Sequence, residues 1–185
     1  MEIEQVIHEV LKIDKNAYEK IIDFYYEDIY CYVLKQVGDH EITKELCQDI
    51  FFEAYRSLKR YDVKKASFKT WLYKIANYRC IDYLRSKTYK NQQCSTDEEI
   101  KRLTETSPDV LTELIQQEQM QKVNELMRCC LKSKHERIMR YYFYAELSVQ
   151  EISVLEKIPT KTIYTIINRS LEKLKQALGG DFNGR

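Results

Sequence analysis

Residues 68–86, FKTWLYKIANYRCIDYLRS, contain no glycine or proline, and their apolar residues recur at helical spacing. At about 100° per residue, Phe68, Leu72, Ile75, Ala76 and Tyr83 share one face. That face must be buried against the protein's own core. Trp71 and Tyr78, seven residues apart, nearly eclipse each other on a second face. Lys74 lies beside them, with Asn77 and Arg85 further round. Flat π-surfaces next to cations suit unpaired nucleobases. A base stacked on an aromatic ring contributes about 1–3 kcal/mol, while the cations hold phosphates. Duplex DNA hides its bases, so such a face fits melted DNA. The competing reading is that Trp71 and Tyr78 pack on a neighbouring helix.

The same periodicity runs through most of the 185 residues, and only four glycines and two prolines are present. An all-α fold follows. Asn16 with Glu19 reads as a capping box opening a helix that reaches Val37, where Gly38–His40 break it. A second helix is expected over 41–60, and YDVKKAS forms a loop before the helix of 68–86. The polar stretch KNQQCSTDEEIKRLTETSPD lacks apolar periodicity and reads as a flexible linker. The expected organisation is two small helical domains, 1–88 and 111–185, joined by a linker over 89–110.

A near-neutral net charge of +1 conceals strong segregation. Residues 1–55 sum to −8, residues 56–90 to +9, residues 91–113 to −4 and residues 157–176 to +4. Two basic zones predict two separate contacts with a polyanion, and the acidic front predicts a partner of another kind. No apolar run approaches the roughly 20 residues of a membrane span. The acidic N-terminus has no signal-peptide core. Both imply a cytoplasmic protein without membrane insertion. Cys31, Cys47, Cys80, Cys94, Cys129 and Cys130 form no C-x-x-C pair, and none stands at zinc-ligand spacing from His8, His40 or His135. They read as reduced thiols, with neither metal nor cofactor implied.

Near the C-terminus, helices are expected over 110–131 and 135–145. Ser148 and Glu151 then form an S-x-x-E capping box at the start of a short helix. EKIP turns the chain, and Thr160 caps a longer helix with Ile163, Ile167, Ser170, Leu171 and Leu174 inward. Short helix, turn and longer helix make a helix-turn-helix. Its second helix turns Lys161, Tyr164, Thr165, Asn168 and Arg169 outward, toward base edges and phosphates in a major groove. An ordinary helical hairpin with a wet outer face is the alternative. In the helix over 41–60, Ile42, Leu46, Ile50, Ala54 and Leu58 face inward. Phe52 stands outside among Glu45, Gln48, Asp49 and Glu53. An aromatic ringed by polar groups reads as a protein-binding hot spot, or else as a residue that a loop covers.

TKELCQDIFFEAYRSLKRYD, SFKTWLYKIANYRCIDYLR and the terminal helix-turn-helix together resemble bacterial RNA polymerase sigma factors of the extracytoplasmic-function (ECF) group, over about residues 17–178. The resemblance implies a specificity subunit of domains two and four. Glu45, Gln48, Asp49 and Phe52 would dock on the clamp helices of the polymerase β′ subunit. Lys65, Trp71, Lys74, Asn77, Tyr78 and Arg85 would melt and read the −10 element. Thr160, Lys161, Tyr164, Thr165, Asn168, Arg169 and Lys173 would read the −35 element. The linker would thread toward the polymerase active centre. Core RNA polymerase, including its β flap, promoter DNA and an anti-sigma factor are the implied partners. The chain departs from the family pattern at Asn77, which follows Ala76 directly so that Tyr78 holds the usual Asn place. It departs again at Lys157 and Lys161, which replace glycines of the turn, and at Leu131–Lys132, where Leu-Pro is common. The runner-up is a stand-alone helix-turn-helix regulator that binds duplex DNA without melting it. It leaves the Trp71–Arg85 face and Phe52 unexplained. The sequence offers no Gly-rich phosphate loop and no nucleophile–base pair, so an enzyme is not expected.

Overall fold

The computed structural model describes residues 3–93 and 108–180, with side chains over 3–86 and 119–178. The helices in chain order are α1 (Ile3–Lys12), α2 (Tyr18–Val37), α3 (His40–Ser57), α4 (Phe68–Gln93), α5 (Pro108–Cys130), α6 (Ser133–Phe143), α7 (Val149–Glu156) and α8 (Thr160–Gly180). Among the described residues there is no strand, so the all-α expectation holds.

Local chemistry sets the boundaries. The Asn16–Glu19 capping box does not form. Asp14 instead caps a 3-10 turn over Lys15–Ala17, its side chain accepting from the Asn16 N–H at 2.8 Å, and α2 begins behind Ala17 without a side-chain cap. A carboxylate two residues upstream took the role assigned to Asn16. Gly38 ends α2 in the left-handed region, φ +72°, with its N–H on the Leu34 carbonyl at 2.8 Å. Asp39 then caps α3, accepting from Ile42 N–H at 3.0 Å. The expected linker is partly helical: α4 continues to Gln93, and α5 starts at Pro108, where a missing N–H costs nothing. The remainder of the linker, with Cys94, lies outside the described residues.

In the N-terminal half α2, α3 and α4 pack on one another. Ile21, Ile29, Val33, Ile50, Ala54, Leu72 and Ala76 are fully buried between them. The Tyr18 hydroxyl donates to the Phe51 carbonyl at 2.8 Å, satisfying a buried phenol. In the C-terminal half α8 packs against α5, α6 and α7 through Ile163, Ile166, Ile167 and Leu174. The two halves also pack on each other. Helix α5 lies against α2, and α6 and α7 lie against α4. This answers why α4 is apolar round most of its circumference. Phe68, Leu72 and Ala76 face the N-terminal core, while Tyr73, Asn77, Cys80 and Ile81 are buried as well.

Candidate functional site

The helix-turn-helix is built as its residues dictate. Ser148 and Glu151 bond reciprocally, Glu151 N–H to Ser148 Oγ at 3.3 Å and Ser148 N–H to Glu151 Oε2 at 2.9 Å. Lys157 closes α7 in the left-handed region at φ 55°. Helix α8 starts from the Pro159 carbonyl, which accepts from Ile163 N–H at 3.1 Å. Thr160 is therefore the first helical residue rather than the cap. Thr160, Lys161, Tyr164, Thr165, Asn168, Arg169 and Lys173 are all exposed. Tyr164 is 55% exposed. The Thr165 hydroxyl donates to the Lys161 carbonyl at 3.0 Å. His135, at the start of α6, adjoins this basic set. Burial lowers its pKa first, and the charges of Lys132, Lys173, Lys134 and Arg169 lower it further.

On α4 the predicted residues separate. Lys65, Tyr78 and Arg85 are exposed, and Trp71 and Lys74 are half-buried. Lys65 pairs with Asp62 at 3.0 Å. Trp71 packs against Tyr61 and Phe68, with ring centroids 5.4 Å from each. Tyr78 is 43% exposed, and the Arg137 guanidinium of α6 sits 5.6 Å over its ring. Arg137 is held there by two bonds to Glu156, at 3.1 and 2.7 Å. Asn77 is fully buried and donates to the Arg137 carbonyl at 3.3 Å. In this arrangement Asn77 is closed to DNA.

On α3 the predicted set stays together. Glu45, Gln48, Asp49 and Phe52 are exposed on one side, and among the described residues no loop covers Phe52, which is 62% exposed. The Arg56 guanidinium lies 5.8 Å from its ring centroid. Phe52 forms the lip of a groove of about 720 Å³ that continues over Ile22, Tyr26, Phe51 and Tyr55. Sequence reasoning found the lip and missed the groove, because half of its apolar wall, Ile22 and Tyr26, comes from α2.

Sequence reasoning also missed a buried polar cluster between the halves. Arg140 of α6 is fully buried. Its guanidinium donates to Glu136 at 2.9 and 3.1 Å, to Gln36 Oε1 at 2.9 Å and to Asn124 Oδ1 at 3.1 Å. Asn124 of α5 donates to the Lys35 and Gln36 carbonyls at 3.2 and 3.1 Å, and Tyr144 donates to Asn124 at 3.0 Å. Thr70 of α4 donates to Glu151 of α7 at 2.9 Å. The one signal in the sequence was a Glu–Arg pair four residues apart on α6, which reads equally well as a surface ion pair. Of the cysteines, Cys47 and Cys80 are buried, which pushes both thiols up to about 12, and Cys31 and Cys129 are exposed.

These elements define a class: an all-helical protein with an exposed apolar–acidic face on α3 and a helix-turn-helix formed by α7 and α8. Residues 21–89 match the family model for sigma-70 region 2. The chain is 27% identical over 183 residues to the ECF RNA polymerase sigma factor SigW of Bacillus subtilis (strain 168), covering 96% of this chain and 97% of that protein. It is 24% identical over 157 residues to the ECF sigma factor SigM of the same organism, covering 85% and 92%. Among solved structures, CnrH in complex with the cytosolic domain of CnrY superposes with a TM-score of 0.65 at 14% identity, covering 95% of this chain and 96% of that one. The sigma factor RpoE bound to the anti-sigma factor NepR from Bartonella quintana superposes with a TM-score of 0.54 at 13% identity, covering 92% and 99%. At those identities the superpositions establish the fold. Residues 21–89 thus carry a sigma-70 region 2, and over nearly its whole length the chain is similar to sigma factors of the extracytoplasmic-function group. Among the described residues no helix is long and apolar enough to cross a membrane.

Proposed function

We propose that this chain is a non-enzymatic, cytoplasmic specificity subunit that binds core RNA polymerase and directs it to promoters. Residues 1–88 form the polymerase-binding and −10 unit, and 111–185 form the −35 unit. The observation that carries this reading is the coexistence, on one small chain, of two unlike outer surfaces. The α3 face is acidic with an apolar anchor at Phe52 and repels DNA, so it suits a protein partner. The α8 face is basic and polar and suits duplex DNA. A duplex-binding regulator uses the second and has no use for the first. Lys161 and Tyr164 face outward at the start of α8 and would specify bases, while Arg169 and Lys173 hold phosphates. Trp71 and Tyr78 stack melted bases, and Lys65, Lys74 and Arg85 hold the strand. An anti-sigma factor, the kind of partner named for the superposing RpoE, fits the same outer faces. Run-off transcription on a genomic library, with this chain and core polymerase, tests the reading. Discrete promoter-initiated transcripts are expected. Duplex binding without polymerase and no transcripts would show a stand-alone regulator instead.

A further inference from the structure

The basic zone that faces melted DNA contains a carboxylate with no structural task. Residues 56–86 hold nine Lys and Arg residues against two acids, Asp62 and Asp82. Asp62 is engaged: it accepts from Lys64 N–H at 3.1 Å and pairs with Lys65 at 3.0 Å, which closes the turn before α4. Asp82 is exposed on α4, and its side chain makes no hydrogen bond or ion pair with any described residue. Arg79, three residues back, pairs with Glu53 instead, at 3.5 Å. At 100° per residue Asp82 falls about 20° from Trp71, about 40° from Tyr78 and about 60° from Arg85. It therefore stands in the middle of the stripe that stacks bases and holds phosphates. The neutral polar groups around it are occupied. Ser67 Oγ accepts from Thr70 N–H at 3.2 Å, Ser86 Oγ donates to the Tyr83 carbonyl at 2.8 Å, and Asn77 is buried.

A negative charge at this place opposes the general purpose of the face, because it repels the strand's phosphates. Its effect turns attractive only where a base offers hydrogen-bond donors, since an ionised carboxylate accepts and cannot donate. The Watson–Crick edges of unpaired bases differ in this respect. Thymine shows one imino donor between two carbonyls. Cytosine and adenine show one amino group beside a ring-nitrogen acceptor. Guanine shows two adjacent donors, N1–H and the N2 amino group, which match the two oxygens of one carboxylate. We propose that Asp82 reads an unpaired guanine on the melted −10 strand through these two donors, and that the same charge rejects thymine. This rests on the reading of the chain as a subunit that melts promoters. In duplex DNA both donors are engaged with cytosine, so the contact forms on the separated strand, unlike the major-groove contacts of α8. Tyr78 lies one helical turn from Asp82, with Cβ atoms about 5–6 Å apart. A base stacked on the Trp71–Tyr78 stripe thus turns its edge to Asp82, and Arg85, three residues further on, takes the adjoining phosphate.

The test measures binding by the full chain assembled on core polymerase. The probe is the fluorescently labelled non-template −10 strand of a promoter recovered by run-off transcription, with each position replaced in turn by the four bases. At one position guanine should bind more tightly than thymine by about 5- to 150-fold. Hypoxanthine at that position, which removes only the N2 amino group, should weaken binding to wild type. Asp82→Asn and Asp82→Ala should lose the guanine preference and become indifferent to hypoxanthine, which couples this residue to that group. Both variants should hold strands without guanine at least as tightly as wild type does, because a negative charge has left the face. Asp82 is exposed, and circular dichroism verifies that both variants keep their helix content. A guanine preference that survives both substitutions, a change equal for all four bases, or a wild type with no guanine position overturns the proposal. A wild-type assembly that holds no −10 strand of any sequence overturns the functional reading, and the proposal falls with it.

Discussion

Phe52→Ala isolates the docking face from the fold. The ring is 62% exposed in the free chain, and an aromatic side chain has up to about 200 Å² to bury. Roughly 120 Å² therefore remains for a partner to cover. At about 25 cal/mol per Å² this is on the order of 3 kcal/mol, and the retained Cβ lowers the loss to about 2–3 kcal/mol. A weakening of about 30- to 150-fold in affinity for core polymerase is expected, in the range of a hot-spot anchor. The fold should scarcely respond. The contact that Phe52 makes with Arg56 is worth at most about 1 kcal/mol at an exposed site. Surface plasmon resonance with immobilised core polymerase gives the affinity, and a melting curve gives the stability. Unchanged affinity in a folded variant would place docking elsewhere on the molecule. Unfolding would show that Phe52 closes the groove over Ile22 and Tyr55 rather than waiting for a partner.

Changing Lys161 or Tyr164 should alter the −35 sequence recovered by selection, since one base contact discriminates by about 1–3 kcal/mol; recovery of an unaltered motif by both variants would remove them as readers. Lys157→Gly should raise stability by about 1 kcal/mol by relieving the left-handed strain at φ 55°, read as a melting temperature about 2–4 °C higher. His135 should couple DNA binding to pH. Burial first, then the surrounding Lys and Arg charges, hold its pKa below the ordinary 6.5 in the free protein, and bound phosphates reverse the charge contribution. Binding therefore takes up a proton, and affinity for the selected −35 duplex should fall as pH rises between the depressed free value and the raised bound value. Calorimetry in buffers of differing ionisation enthalpy should show that uptake in wild type and its loss in His135→Gln. In the unliganded chain the same depression makes folding weaker as pH falls below about 6.5.

Whatever rests on periodicity and local chemistry was legible in the sequence. The helices of α3 and α8, the Ser148–Glu151 box, the outward residues of α8 and the exposed Phe52 all follow from spacing along one element, because the backbone places residues of one helix on fixed faces. The capping of α2 was misread for a local reason: Asp14 accepts from the Asn16 N–H and opens a 3-10 turn over Lys15–Ala17 that leads into the helix, and a pattern match at Asn16 does not see that upstream turn. What only tertiary structure decided lies between elements. Trp71 and Asn77 were assigned to one DNA-facing surface, though they stand about 120° apart on the helical wheel, and Trp71 stays half-exposed while Asn77 is buried, because α6 lands on one side of α4 and not the other. Gln36 and Arg140 are separated by 104 residues and meet at 2.9 Å. No local property of either predicts the pairing. A buried arginine is tolerable only where several distant acceptors converge on it, and that convergence is a property of packing. The sequence therefore determined which surfaces this chain carries, and the packing of its two halves decided which of them are open.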